Sequence, residues 1–193
     1  DWLYENSLHM MNSILVDFSE YYDSFLFNRI DPDSQQVIGS TFSSNFNNYF
    51  EVLNHVKGDK VHLLRSSFFK SFEPVIDRSE KYISVNQIYL SIADTYKVKC
   101  FNLPMVYCRY MSSGLTKNLI GHRRSSPNNS RYTYLKLASN PRINLLVRAH
   151  AKINYYRFSF PTFLKPFSIL ELPLWLAGLL YYMWDSFVLR DLD

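Results

Sequence analysis

Residues 84–110 read SVNQIYLSIADTYKVKCFNLPMVYCRY, and this stretch decides the fold class. Ser84 and Gln87 have the spacing of a capping box, in which each side chain bonds a free backbone N–H at a helix start. An apolar face with helical spacing follows: Val85, Ile88, Tyr89, Ile92 and Tyr96. Strands are predicted at 98–101 and 107–110, with Pro104 marking a bend between them. A helix that leads into strands predicts an α/β protein.

The segment before this stretch continues the alternation of helix and strand. Apolar residues at three- and four-residue steps predict a first amphipathic helix that ends near Asp23: Leu8, Met11, Leu15, Phe18 and Tyr22. Phe25–Phe27 reads as a short buried strand. Asp31–Ser34 is a turn by composition, because Pro32 fixes one backbone angle and the aspartates can bond nearby amides.

The polar stretch 39–48 is either a surface loop over the site or a poorly ordered linker. We favour the loop, because four rings give it something to bury: Phe42, Phe46, Tyr49 and Phe50. A strand at 60–65 and a short helix at 66–72 are predicted next. Further on, residues 121–130 are basic and then Ser/Asn-rich, which predicts a loop, and 144–158 reads as a helix.

Composition limits the classes of partner. The chain has 193 residues, enough for one domain or two small ones, and its 47% apolar content indicates a globular body. The net charge of +4 favours anionic partners such as nucleotide diphosphates or acidic lipid headgroups. Nucleic acid is not expected, because the 21 basic residues are spread among 17 acidic ones. Cys100 and Cys108 do not form a metal or redox motif, which is typical of reduced thiols in a cytosolic protein.

A run of apolar residues lies near the C-terminus, at 172–184. Glu171 and Asp185 close the run on either side, so it is shorter than the about 20 residues that a membrane span needs. We therefore expect a buried or interfacial helix. The protein is expected in the cytoplasm, where this helix could make a peripheral contact with the inner face of the membrane.

A loop around Gly114 carries most of the candidate ligand-binding residues. Hydroxyls and amides near a glycine can hold phosphate oxygens while arginine supplies a bidentate fork. The residues of this kind are Arg109, Ser112, Ser113, Thr116, Lys117 and Arg123. The alternative is an ordinary solvated loop, since clusters of Ser, Gly and one Arg are common in turns.

Three sequence blocks occur in an order that resembles the acceptor half of a family 2 glycosyltransferase. They are GDKVHLLR at 58–65, SEKYI at 79–83 and YCRYMSSGLTKN at 107–118. The ending GLTKN agrees with the family pattern at every fixed place, and the stretch 144–159 resembles the C-terminal helix of the same enzymes. At the N-terminus, DWLYENSL resembles the junction between an Asp-rich metal motif and the helix after it. The resemblance covers most of the chain from Gly58 onward.

This resemblance implies a GT-A fold, with a mixed sheet flanked by helices and followed by C-terminal helices. It also implies that a donor-binding half precedes Asp1, that Asp1 is the last carboxylate of a Mg or Mn site, and that the loop from Arg109 to Lys117, with Arg123, holds the diphosphate of a nucleotide sugar. The catalytic part would span 1–118, and a basic loop with a helical extension would span 119–193. The implied reaction is sugar transfer to a glycan or lipid-linked acceptor in surface polysaccharide synthesis.

The chain departs from the family pattern where the catalytic base is expected. That position is Val85, which cannot accept a proton. Three interpretations are open: Glu80 or Asp77 reaches the acceptor, the register slips so that Asn86 and Gln87 only orient the hydroxyl, or activity is lost. Met111 replaces a histidine of many relatives and is a poor ligand for Mg or Mn. We take Glu80 and Asn86 as the acceptor-facing residues, with a catalytically degenerate binding module as the alternative.

Overall fold

The computed structural model describes residues 1–43, 46–73, 77–111, 116–160, 166 and 168–190. These residues form four strands and eight α-helices, so the predicted α/β class is confirmed. The chain divides into two compact units. Unit 1 consists of residues 1–73 and 91–112, and unit 2 consists of residues 74–90 and 113–193. The predicted functional division at residue 118 stays a prediction.

Unit 1 contains the whole sheet. Its strands are β1 (Trp2–Leu3), β2 (Ser24–Ile30), β3 (Lys60–Leu64) and β4 (Val98–Tyr107). Their spatial order is β1-β4-β2-β3. The central strands β2 and β4 are parallel, whereas β1 and β3 are antiparallel to their neighbours. The predicted strands at 25–27 and 60–65 are confirmed, and β2 is longer than predicted.

Pro104 lies inside strand β4, so the prediction of two strands separated by a bend is wrong. The strand continues because its register slips: Phe27 pairs with Phe101, but Asn28 pairs with Pro104. Such bulges accommodate a residue without a backbone donor. The Asn102 side chain accepts a hydrogen bond from the Phe42 amide and donates one to the Phe42 carbonyl, both at 2.8 Å, and so joins β4 to the loop that follows β2.

Helix α1 (Ser7–Phe18) packs on the sheet through part of the predicted face, since Met11, Phe18 and the following Tyr22 pack against the core. Ile14 is buried with Phe25, Phe27 and Met105, whereas the predicted Leu8 and Leu15 are exposed; this part of the prediction is wrong. The reason lies at the helix start. The Ser7 hydroxyl is within hydrogen-bonding distance of the carbonyls of Tyr4 (2.7 Å) and Met105 (2.8 Å), which fixes the rotation of the helix.

The segment after β2 forms the predicted turn, in which Asp31 Oδ1 accepts hydrogen bonds from the amides of Asp33 and Ser34. The four rings of the 39–50 stretch are buried, as the loop interpretation requires, although Ser44 and Asn45 lie outside the described residues. Helices α2 (Tyr49–His55) and α3 (Ser66–Ser71) complete unit 1, and α3 confirms the predicted short helix.

Two glycines hold this loop against the start of β3. Gly39 and Gly58 both have positive φ, at 78° and 81°. A Cβ on Gly58 would lie 2.6 Å from the Cα of Gly39, so larger residues are excluded at both positions by contact as well as by backbone conformation.

Unit 2 is helical. Its elements are α5 (Leu119–Arg124), α6 (Pro127–Ser139), α7 (Leu145–Arg157), a 3-10 turn (Ile169–Glu171) and α8 (Leu172–Arg190). Helix α4 (Asn86–Ile92) begins in unit 2 and ends in unit 1. The predicted loop at 121–130 is wrong, because Pro127 occupies the first turn of α6, where its missing N–H costs nothing. The predicted helix at 144–158 is confirmed, with Asn144 capping the Val147 amide at 2.9 Å.

The reciprocal capping box predicted at the start of α4 does not form. Ser84 Oγ accepts from the Asn86 amide at 3.4 Å, but the Gln87 side chain donates to the Asn129 carbonyl at 3.5 Å. Gln87 Oε1 accepts no hydrogen bond within the described part of the chain. The amide thus joins α4 to α6 and is not available to the helix start.

Helices α7 and α8 approach each other closely at a glycine. A Cβ on Gly178 would lie 2.7 Å from Tyr156 Cβ and 2.8 Å from the Ile153 carbonyl oxygen. Tyr155, Tyr156 and Phe160 are buried beside this contact and form the core of unit 2. No helix among the described residues has both the length and the apolar content to cross a membrane.

Candidate functional site

Unit 1 gathers charged residues at one edge of its sheet. Because β2 and β4 are parallel, both end at this edge, and the antiparallel strands β1 and β3 begin there. In open α/β sheets, ligands bind outside the carboxyl ends of the strands. We call the following residues the polar edge: Asp1, Arg29, Asp31, Asp33, Asp59, Cys108, Arg109 and Tyr110.

Three polar pairs organise the polar edge. Arg29 Nη1 contacts Asp1 Oδ2 at 3.0 Å, and Arg109 Nη2 contacts Asp33 Oδ1 at 2.6 Å. The Tyr110 hydroxyl donates to Asp59 Oδ2 at 2.7 Å. Each pair joins a residue at the end of β2 or β4 to a residue from another segment.

The two arginines differ in their surroundings. Arg109 is exposed, and its guanidinium carbon lies 6.0 Å from the centre of the Trp2 ring. Arg29 is less exposed, and its buried Nε finds no acceptor among the described residues. The exposed Arg109–Asp33 pair can exchange its carboxylate for a phosphate at little cost.

Local contacts shift the titration of three groups in unit 1. The pKa of Tyr110 is raised by partial burial and by the hydrogen bond to Asp59. The pKa of Asp31 is lowered by the hydrogen bonds from Ser34. The pKa of His62, in β3, is lowered to about 3 by burial and by the nearby charge of Arg29, so its ring is neutral at physiological pH.

Glu80, the proposed acceptor-facing carboxylate, lies in unit 2 and caps helix α6. Its Oε1 accepts from the Asn128 amide and its Oε2 from the Asn129 amide, both at 2.8 Å. Asp77, the other carboxylate considered for this role, accepts from the Asn128 side chain at 2.8 Å. The pKa of Asp77 is lowered by hydrogen bonds from Ser79 and Asn128.

The other predicted residues of unit 2 do not form one cluster with Glu80. Asn86 is the first residue of α4, and Val85 beside it is exposed. Arg123 stacks on the ring of Tyr134, with 5.7 Å between the guanidinium carbon and the ring centre. Ser112 and Ser113, like Gly114, lie outside the described residues.

Thr116 and Lys117 line two different cavities of unit 2. The Thr116 cavity has a volume of about 410 Å³ and is shared with Lys81, Tyr82 and His122. The Lys117 cavity has a volume of about 320 Å³, and its wall includes Tyr181, Trp184 and Val188 of α8. Lys117 is therefore beside apolar residues of the C-terminal helix.

Asp1, the predicted metal ligand, is paired with the guanidinium of Arg29. Within the described ranges, no three His, Cys, Asp or Glu side chains come together in a way that could hold a metal ion. A divalent cation prefers several oxygen ligands, and a neighbouring guanidinium opposes it. The described residues alone do not fit a Mg or Mn site.

Sequence reasoning selected Asp1 and Arg109, whose roles stay predictions, but not their partners Arg29 and Asp33. It also missed the pair of Asp59 and Tyr110. Asp59 lies in the block GDKVHLLR, but no nearby residue indicates that it pairs with Tyr110, which is 51 residues away. The signal that could have found them is the pairing of β2 with β4, because parallel strands bring their ends together.

Comparisons of the chain with protein families, curated proteins and solved structures find no match.

Proposed function

We propose that this chain is the acceptor-side part of a GT-A glycosyltransferase of family 2, which transfers a sugar from a nucleotide diphosphate to a glycan or lipid-linked acceptor. The observation that carries the proposal is the polar edge, where two arginines and four carboxylates lie at the carboxyl ends of parallel strands. The order of the three sequence blocks supports the same reaction.

In this proposal Arg109 and Arg29 stabilise the negative charge that develops on the diphosphate leaving group. Stabilising a developing charge with preorganised donors is the largest single contribution in many enzymes. Trp2, within reach of Arg109, supplies an exposed ring on which a sugar or base can stack.

The general base is assigned here to Asp59. Val85 cannot accept a proton, and both carboxylate oxygens of Glu80 already accept backbone amides of α6. Asp59 is exposed, lies on the polar edge and accepts a hydrogen bond from the Tyr110 hydroxyl. A carboxylate with a free lone pair can take the proton of an acceptor hydroxyl.

The test measures nucleotide release from a panel of nucleotide sugars by the longest natural polypeptide that contains this sequence. We expect Arg109→Gln to lower turnover by about 100-fold or more, the loss seen when one charge-stabilising donor is removed. The matched control is Arg65→Gln, since Arg65 also pairs with an aspartate, Asp23, but at the start of β2 and away from the polar edge. Equal turnover of the two variants would contradict the proposed role of the polar edge.

The assignment of the general base is tested by comparing the turnover of Asp59→Asn with that of Glu80→Gln. We expect the first to abolish turnover while its folding stays intact, because Asp59 is exposed. If Glu80→Gln alone abolishes turnover without lowering the melting temperature, the base is Glu80 instead.

A second function is favoured by Val85 and by the engaged state of Glu80: a degenerate domain that binds a glycan without transferring sugar. Its signature would be saturable glycan binding with no nucleotide release from any donor. Turnover that depends on Arg109 would rule this function out.

A further inference from the structure

Helix α8 is apolar on two sides: Leu174, Trp175, Leu179 and Tyr182 pack inward against the core of unit 2, and other apolar residues face outward. The exposed apolar residues of the outward side are Leu172, Leu176, Leu180, Met183, Trp184 and Phe187. Leu180 is 66% exposed, Trp184 67% and Phe187 61%. Exposed apolar residues are ordinary when scattered singly, but a continuous strip of them marks a contact surface.

Two polar residues of α8, Asp185 and Ser186, bond arginines of other helices of unit 2. Asp185 is only 3% exposed and receives Arg157 Nε at 2.7 Å on Oδ2, with Arg157 Nη2 on the other oxygen. Ser186 accepts from both terminal nitrogens of Arg124 at 3.0 Å. Because these bonds and the close contact at Gly178 fix the rotation of α8, the apolar strip cannot turn inward without breaking a buried ion pair.

The charge of unit 2 indicates what lies against the strip. Unit 2 has thirteen Lys and Arg against six Asp and Glu, a net charge of +7, whereas unit 1 has eight against eleven, a net charge of −3. One of these cations, Lys117, is exposed and lines the cavity that Tyr181, Trp184 and Val188 of α8 also line. The exposed Lys117 therefore lies at the border of the apolar strip.

We propose that α8 lies in the surface of an anionic phospholipid membrane. The apolar strip would enter the boundary between headgroups and acyl chains, while the inward side stays on α7. Tyr181 and Trp184 have the amphipathic rings that prefer this depth, and Lys117 can extend to a lipid phosphate. The inference does not depend on the proposed transferase activity.

A second copy of the chain is the other occupant to consider. A two-fold contact through α8 would bring two surfaces of unit 2 together, each from a unit of charge +7. Like charges facing each other oppose association, whereas anionic lipid attracts each Lys and Arg near its surface. Charge complementarity thus favours the membrane.

The experiment is flotation of the 193-residue chain with vesicles of phosphatidylglycerol and phosphatidylcholine, compared with vesicles of phosphatidylcholine alone. We expect binding to the anionic vesicles that weakens as salt is added. The triple variant Leu180→Gln, Trp184→Gln, Phe187→Gln should bind about tenfold or more weakly. Its matched control, Leu8→Gln, Val16→Gln, Tyr21→Gln, changes equally exposed apolar residues of unit 1 and should bind like the natural chain.

Two further measurements keep the test valid if the triple variant is less stable. Lys117→Gln should weaken binding to anionic vesicles by about fivefold and leave neutral vesicles unaffected. Fluorescence from Trp184 should shift to the blue on anionic vesicles and be quenched by brominated acyl chains, and Trp184→Phe should remove that quenching.

Three results would overturn the proposal: no flotation with anionic vesicles, flotation of the α8 triple variant equal to that of the natural chain, or Trp184 fluorescence unchanged by lipid. A dimer in solution that the α8 triple variant converts to a monomer would assign the strip to a second copy and would also overturn it.

Discussion

Unit 1 and unit 2 differ in where their charged residues lie. In unit 1 the charged groups collect at the rim of a sheet, and the apolar face of α1 turns toward the core. In unit 2 the Asp185 side chain of α8 turns inward to Arg157, while apolar residues of the helix lie on both its inward and its outward side. Apolar spacing therefore locates a face of a helix but does not predict whether that face packs on the core or is exposed.

The two units also bury a charge in different ways. Lys60 of unit 1 is 7% exposed and donates to three neutral oxygens: Asn28 Oδ1, the Ile38 carbonyl and the Ser40 carbonyl. Asp185 of unit 2 is neutralised by an opposite charge. Breaking each arrangement in turn measures how much each unit depends on its buried charge.

The largest effect is expected in unit 2, from Asp185→Ala. The substitution leaves Arg157 partly buried without its carboxylate, and breaking a buried pair costs about 3–5 kcal/mol of unfolding free energy. Chemical denaturation followed by circular dichroism measures the loss. The double variant Arg157→Met, Asp185→Leu is the control and should recover most of it, because no buried charge remains. If Asp185→Ala lowers the unfolding free energy no more than the double variant does, this account is contradicted.

Lys60→Met is the corresponding change in unit 1. It leaves three oxygens without their donor and should lower the unfolding free energy by about 2–4 kcal/mol. Lys57→Met is the matched control, because Lys57 is exposed three residues earlier, and it should change stability by less than about 0.5 kcal/mol. Equal melting temperatures for the two variants would show that the buried ammonium is dispensable.

His62 makes the stability of unit 1 depend on pH. The pKa of this histidine is lowered to about 3 in the folded chain, so between that value and its ordinary pKa the unfolded chain binds the extra proton. Its contribution to stability is present above about pH 6.5 and is lost as pH falls toward 3. We expect a loss of roughly 1–3 kcal/mol between pH 7 and pH 4.

Denaturation midpoints of the natural chain and of His62→Gln across this pH range check the prediction. The variant should show the flatter curve, since glutamine does not titrate. Parallel curves would mean that other groups cause the acid sensitivity of unit 1.

The smallest change in stability is expected at the polar edge, from Arg109→Gln. The Arg109–Asp33 pair is exposed on both sides, and such pairs contribute about 0–1 kcal/mol. A melting temperature close to that of the natural chain would separate the proposed role of Arg109 in turnover from any role in folding. A loss as large as that of Lys60→Met would place Arg109 among the residues that hold unit 1 together.

Local sequence signals were enough to predict much of the fold. The turn at Asp31 was predicted because an aspartate can bond an amide two or three residues away, and the helix at 144–158 was predicted from its apolar spacing. Strand β2 was predicted from its apolar run, and nearly all of its residues are buried.

The errors arose where a distant residue decides the outcome. The Ser7 hydroxyl of α1 contacts the Met105 carbonyl, 98 residues away, and the register slip against β2 keeps β4 continuous through Pro104. The polar edge has the same origin, since Arg29 meets Asp1 only after β1, β2 and β4 pair. Contacts between residues far apart in the chain produce no periodic pattern in the sequence.

The cap that Glu80 places on α6 has a consequence for hydrogen exchange. Amides in the first turn of a helix have no partner within the helix and usually exchange quickly with solvent. Here the amides of Asn128 and Asn129 are held by a carboxylate 48 and 49 residues earlier in the chain. Their deuterium uptake should be slow and should report when the 77–82 segment lifts from the helix, which gives unit 2 a local opening reaction that can be timed separately from global unfolding.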